Sequence, residues 1–263
     1  MLFEEERQQK IADYVQTRER ASVQELAQQF QVSESTVRRD LKILEESRQL
    51  RRTHGGAVAL VHDNSEPPFM EKEDSYRAQK EAIAKAAAAM IQEGDTIVLD
   101  SGTTTYYLAK ELKAFKQLTV VTNSVMAAQE LLTHQGIDLV LTGGSLRHET
   151  LAMVGPLTEK ALKSVYVDKA FLATNGLDPL IGLTTPNILE ASAKQSILHS
   201  AKQVILLADH SKYGKVSFAK VAELPDIDHC ITDDGMPENA REELEAAGIS
   251  VTVVHAGGKG HEL

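Results

Sequence analysis

Through the first sixty residues the apolar positions recur with the period of a helix. Ile11, Tyr14 and Val15 set one face of a predicted helix over roughly 4–18, and Val23, Leu26, Ala27 and Phe30 supply the buried stripe of a shorter one. Ser22 stands as N-cap to that second helix, and Glu25 follows at the spacing of a capping box. Gln31-Val32 is a tight connection. Ser33 caps a third helix whose Val37, Leu41 and Leu44 face a core, while Ser35, Thr36, Arg38, Arg39 and Lys42 project elsewhere. The period then changes: 50–53 and 57–60, separated by His54-Gly55-Gly56, read as a two-stranded hairpin.

Residues 61–74 are polar and carry a Pro-Pro pair, the composition of a linker. An alanine-rich helix is predicted over about 75–92. Beyond it, short apolar β-rich runs alternate with helical patterns: 96–100, 118–122, 138–142, 169–173, 203–209, 229–232 and 250–254. That alternation predicts an α/β domain, a mostly parallel sheet with helices on both faces. The expected organisation is a winged helix-turn-helix over 1–60, a linker over 61–74 and a larger α/β domain over 75–263.

Charge sharpens this division. The formal net charge is -10, yet residues 1–60 hold ten Lys/Arg and ten Asp/Glu, so the whole acidic excess lies beyond them. Within 33–56, six basic residues face four acidic ones. A small basic face on an acidic protein suits selective contact with double-stranded DNA better than indiscriminate binding. No run approaches the roughly 18–20 apolar residues that span a bilayer, and the start of the chain is acidic where a secretory signal would be basic. We read the chain as cytoplasmic, without a membrane partner. The single Cys230 lies in an apolar run and reads as a small core residue, and the nine histidines show no metal-ligand spacing. No metal or other cofactor is implied.

Two short capped helices joined by a tight turn, the second rich in arginine, have the geometry that lays a helix in the major groove. Ser35, Thr36, Arg38, Arg39 and Lys42 are the candidate contacts on that helix, with Arg51, Arg52 and His54 on the wing. The alternative is a helical subdomain in which Arg39 and Asp40 form a surface ion pair. The stretches 22–27 (SVQELA), 32–41 (VSESTVRRDL) and 52–57 (RTHGGA) resemble the DNA-binding domain of the DeoR family of bacterial regulators, nearly unbroken from about 7 to 58. The resemblance implies DNA contact by Ser35, Thr36, Arg38 and Arg39.

In the α/β region, Asp100-Ser101-Gly102-Thr103-Thr104 ends the first predicted strand and opens a helix, which aims backbone N–H groups and hydroxyls at one spot suited to an anion. Asn123 follows the second strand and Gly143-Gly144 the third, so three strand ends are expected to converge on one crevice. Asp209 and Lys212 place a carboxylate beside a lysine after a later strand, and 182–187 with Glu190 is expected to line the sugar end of the pocket. Their order, with Lys194, is similar to that in DeoR-family sensor domains. Those domains are similar in fold to ribose-5-phosphate isomerase, and the resemblance implies a phosphorylated sugar effector that releases the protein from its operator. It carries Ser101, Gly102, Thr103, Thr104, Asn123, Gly144, Lys194, Asp209 and Lys212 as effector contacts.

A repressor of a sugar-metabolism operon, working as a homo-oligomer on paired half-sites, is the expected function. The rival reading is a sugar-phosphate isomerase with an accessory winged domain, since it would use the same phosphate cradle. It requires a poised carboxylate base, for which Asp178, with Glu190 and Lys194, is the candidate set. A third reading keeps the winged helix for protein contact, and predicts that neither phosphate nor DNA sequence matters.

Overall fold

In a computed structural model, the described residues are 4–18, 20–47, 49–53, 55–59 and 66–257. They form two compact units, divided between His62 and Asp63.

The first unit runs α1 (Glu4–Arg18), β1 (Arg20–Ser22), α2 (Val23–Phe30), α3 (Glu34–Glu46), β2 (Leu50–Thr53) and β3 (Gly56–Ala59). The capping box forms: Ser22 Oγ accepts from the Glu25 amide at 3.1 Å, and Glu25 Oε2 accepts from the Ser22 amide. Gln31 closes α2 in the left-handed region at φ 51°, and Ser33 Oγ accepts from the Thr36 amide to start α3. Val15, Leu26, Val37, Leu41, Leu44 and Leu50 fill one core between the helices and the sheet. The wing has one strand more than the pattern predicts, because β1 pairs antiparallel with β3 to give the order β1-β3-β2. Three residues are too few to display an alternation. Gly56 opens β3 rather than sitting in the turn, and a Cβ there would lie 2.1 Å from Ala21 O. Its lack of a side chain is what lets β1 approach.

The second unit begins with α4 (Phe69–Asp74) and α5 (Arg77–Ala88), then β4 (Thr96–Leu99), α6 (Thr103–Glu111), β5 (Leu118–Thr122), α7 (Val125–Leu131) and β6 (Ile137–Leu141). A small hairpin, β7 (Ser145–Arg147) and β8 (Ala152–Val154), leads through α8 (Pro156–Lys163) to β9 (Val167–Ala173). The chain continues with β10 (Gly176–Asp178), β11 (Gly182–Thr185), α9 (Ile188–Leu198), β12 (Ala201–Leu207), β13 (Ala219–Ala222), β14 (His229–Asp233), α10 (Glu238–Ala246) and β15 (Ser250–Val254).

Seven strands make one all-parallel sheet in the order β15-β14-β12-β9-β4-β5-β6. All seven contain the apolar runs of the sequence. Alternate residues serve two cores: Ile97, Leu99, Phe171, Ile205 and Leu207 pack with Ile83 and Leu108, whereas Val98, Leu172, Val204, Leu206 and Cys230 pack with Leu162, Ile197 and Leu244. A strand covered on both faces reads as a continuous apolar run. Cys230 is a buried core residue, its thiol pushed up to about 12 by burial. The shorter β10-β11-β13 sheet lies outside the predicted runs.

Composition marks 61–74 as a linker, but part of it is structured. Phe69 is buried edge-on to Tyr106 at 5.6 Å, its amide donates to Glu149 O, and α4 continues from it. One apolar side chain outweighs the polar residues around it. The alanine-rich helix is also shorter than expected, starting after Tyr76, which is left-handed at φ 54°. No described helix is long and apolar enough to cross a membrane.

Candidate DNA interface and effector pocket

Helix α3 presents Ser35, Arg38, Arg39 and Lys42 to solvent, with Thr36 half-buried. Arg38 is 58 % exposed and lies 3.4 Å from Glu34 one turn back, a solvated pair that a phosphate or base edge can displace at small cost. Asp40 has a different part. It is buried and accepts from Arg7 at 2.7 and 3.1 Å and from Gln8 at 3.1 Å, which fastens α3 to α1. The surface pair of Arg39 with Asp40 that a plain helical subdomain would have is therefore not how Asp40 is used. Arg52 is half-committed, since its amide donates to Glu45 Oε1 and its guanidinium lies 3.8 Å from that carboxylate. The side chain of Arg51 and all of His54 lie outside the described residues. Gly55 O accepts from the Val23 amide, so the wing turn is tied to the first residue of α2.

In the second unit the sheet order sets the position of the pocket. From β4 the chain steps outward through β5 to β6, then returns to β9 on the other side of β4 and steps outward through β12 and β14 to β15. The order reverses between β4 and β9. Crevices in open parallel sheets form at such a reversal, beyond the carboxyl ends of the strands. A pocket lies there, lined by Ser101, Gly102, Thr103 and Thr104 after β4, by Ala173, Thr174 and Asn175 after β9, and by Lys212 beyond β12. Glu190 and Lys194 reach it from successive turns of α9, and Glu66, Phe69 and Lys72 from around α4.

Helix α6 begins without a side-chain cap, because its N-cap is Gly102. Its first-turn amides and the hydroxyls of Thr103 and Thr104 therefore supply donors at the positive end of a helix. Gly102 is required by space, since a Cβ would lie 2.7 Å from that of Ala173. Behind this loop Asp100 is fully buried and accepts from the Ser101 and Ala173 amides at 2.8 and 3.0 Å and from Lys194. Lys194 also donates to Ala173 O at 2.9 Å. Lys212 stands 3.8 Å from Asp209 Oδ2, an ion pair beyond hydrogen-bond reach, and that buried oxygen has no hydrogen-bond partner among the described residues. Burial lowers the Lys212 pKa. Arg147 Nε is 3.0 Å from Glu190 Oε1 but too poorly aligned to donate to it.

The expected site residues thus separate into groups. Ser101, Gly102, Thr103, Thr104, Glu190, Lys194 and Lys212 line one pocket, while Asp100 and Asp209 do not line it but are buried beside its lysines, Asp100 accepting from Lys194 and Asp209 lying 3.8 Å from Lys212. Asn123, Gly143 and Gly144 do not line it. Asn123 donates to Met153 O, Gly143 O accepts from Thr158, and a Cβ at Gly144 would lie 2.2 Å from Thr158 Oγ1. These residues hold the β7–β8 hairpin and α8 against the sheet, and the crevice centres on β4, β9 and β12 instead of β4, β5 and β6. Glu66, Lys72, Thr150 and Asn175 are further lining residues that no motif announces, and Arg147 stands beside them against Glu66 and Glu190. Of the set named for an isomerase, Asp178 accepts from the Leu180 and Ile181 amides in the β10–β11 turn and does not line the pocket, whereas Glu190 and Lys194 do.

Residues 7–62 match the DeoR-like helix-turn-helix domain, and residues 75–234 match the DeoR C terminal sensor domain. The chain belongs to the DeoR family. Similar relatives include the HTH-type transcriptional regulator YulB of Bacillus subtilis (strain 168), 41 % identical over 95 % of this chain and 96 % of that one. The HTH-type transcriptional repressor GlcR of the same strain is 36 % identical over 88 % and 89 %. As a DeoR-family member the protein is a DNA-binding transcriptional regulator and not an enzyme. Among solved structures, ribose 5-phosphate isomerase A from Methanocaldococcus jannaschii is 19 % identical over 54 % of this chain and 56 % of that one, with a TM-score of 0.40, too slight a likeness to bear on function.

Proposed function

We propose that this regulator represses an operon of carbohydrate metabolism in the cytoplasm, binding operator half-sites as a homo-oligomer, and that a phosphorylated sugar in the pocket beyond β4, β9 and β12 controls it. The observation that carries the ligand class is the uncapped start of α6 converging with Lys194 and Lys212 on one buried spot. Backbone donors, hydroxyls and two ammonium groups suit a phosphate. The carboxylates and amides around it, Glu190 and Asn175 among them, suit hydroxyl groups. On the DNA side Ser35, Thr36, Arg38, Arg39 and Lys42 form the reading face, with the wing against the flanking backbone.

Thr103→Glu tests the pocket. Its carboxylate would fill the anion position, so calorimetry should show loss of sugar-phosphate binding, and operator affinity should no longer respond to the compound. Retained binding in that variant places the phosphate elsewhere.

A further inference from the structure

Four carboxylates, Glu66, Asp100, Glu190 and Asp209, share the pocket and its walls with Lys72, Arg147, Lys194 and Lys212. Counted with buried Lys80, whose ammonium donates to the Lys72 and Ser75 carbonyls, and with Glu149, 3.5 Å from Arg147, the charges come to five of each sign. A phosphate monoester near neutral pH adds about -1.5 to -2, so its entry among these buried groups favours the departure of a carboxylate. Three of the first four are tied to backbone amides or to hydroxyls. Asp100 accepts two backbone amides, Asp209 accepts the Ser211 amide, and Glu190 accepts from the hydroxyls of Thr150 and Thr185.

Glu66 is held differently. Its carboxylate is 4 % exposed and is gripped by side chains alone: Lys72 at 2.9 Å, Arg147 at 3.3 Å and the Asn175 amide at 3.0 Å. Burial disfavours its charge, yet Lys72 foremost, with Asn175 and Lys194, holds its pKa below the usual carboxylate range. Its backbone belongs to neither sheet nor helix. Pro67 and Pro68 separate it from Phe69, which stays anchored against Tyr106 and Glu149. Of the four carboxylates, Glu66 can withdraw without dismantling a strand end or a helix, and it lies on the chain that leads back to the winged helix.

We propose that Glu66 is a built-in stand-in for the effector's phosphate, neutralising the pocket's cations in the unliganded protein, and that its displacement by that phosphate signals occupancy to the chain leading to the DNA-binding unit. This rests on the pocket reading above and specifies how that site is regulated. By linkage, whatever the expelled carboxylate contributed in the unliganded state is subtracted from effector affinity.

The test compares the full-length wild type with Glu66→Gln, which keeps shape and the Asn175 contact but removes the charge. Calorimetry would use inorganic phosphate and a panel of sugar phosphates, and anisotropy would follow operator DNA. The glutamine variant should bind the same compound about tenfold or more tighter, and its operator affinity without any compound should move toward the value that the compound imposes on the wild type. Glu66→Asp, which keeps the charge but shortens its reach, should fall between the two and serves if the glutamine variant does not fold. A wild type that binds a sugar phosphate while Glu66→Gln binds it no tighter overturns the stand-in and leaves the pocket reading intact. Failure of both proteins to bind any phosphorylated compound overturns the two together.

Discussion

The DNA face and the sensor pocket keep their positive charges in opposite states. On α3 the guanidinium of Arg38 is largely in water beside an equally exposed Glu34, whereas in the sensor Lys194 is 4 % exposed and locked between Asp100 and Ala173 O. The first arrangement leaves desolvation until DNA arrives, so its charges cost the fold little and can be exchanged for phosphate contacts. The second has completed its desolvation during folding. Its cations need internal partners, and a ligand must replace a partner rather than simply add one. Substitution on the DNA face should therefore move binding without moving stability, and substitution in the sensor should move both.

The strongest way to break this contrast is Lys194→Met, which strands the Asp100 charge among buried groups. We expect a loss of about 3–5 kcal/mol in urea-unfolding stability, and a loss under 1 kcal/mol would mean that the pair is solvated. Next in size is a steric pair in the wing. Gly56→Ala pushes a methyl into Ala21 O and should cost about 2–4 kcal/mol, while a Cβ at Gly55 meets nothing within 4 Å, so Gly55→Ala should stay near neutral by thermal melting. Arg38→Ala should weaken operator binding by about 1–3 kcal/mol if it reads a base, or lower the salt slope by about one if it meets only phosphate, with the melting temperature unchanged in either case. Unchanged affinity and slope would remove Arg38 from the interface.

The smallest effect concerns pH. Lys80 is buried, donates to Lys72 O and Ser75 O, and has its pKa lowered to about 8, chiefly by burial. Between pH 8 and the ordinary value of 10.5 the unfolded chain holds a proton that the folded chain does not. This group therefore makes stability rise with pH, by up to about 1.4 kcal/mol per unit. The slope for wild type minus that for Lys80→Met isolates it from other titrations, and a difference of zero or of opposite sign would refute it.

The same contrast explains what the sequence discloses. The recognition helix is legible because its caps, core stripe and reading face are local: Ser22 with Glu25, Ser33 with Thr36, and Arg39 on the face opposite Val37 and Leu41 are separated by a few residues. The strands of the sensor are legible for a similar reason, as continuous apolar runs. The pocket is not local. Which strand ends meet depends on the reversal between β4 and β9, and the order of strands along the chain points to successive ones, so Asn123 and Gly143-Gly144 were expected where Ala173 and Asn175 stand. Glu66, Arg147 and Asn175 meet across 81 and 109 residues of chain, a distance that periodicity does not report. Phe69, an apolar residue in a polar stretch, was the one available sign that 66–74 belongs to a packed element.

The central claim, that a phosphorylated sugar in the sensor controls operator binding, is tested most directly by fluorescence anisotropy of promoter DNA with the intact protein, titrated with sugar phosphates and with the matching unphosphorylated sugars. The account predicts sequence-specific binding whose affinity shifts about 5- to 150-fold with a phosphorylated compound and not with its parent sugar. An equal shift with the parent sugar, or none with any phosphorylated compound, would contradict it.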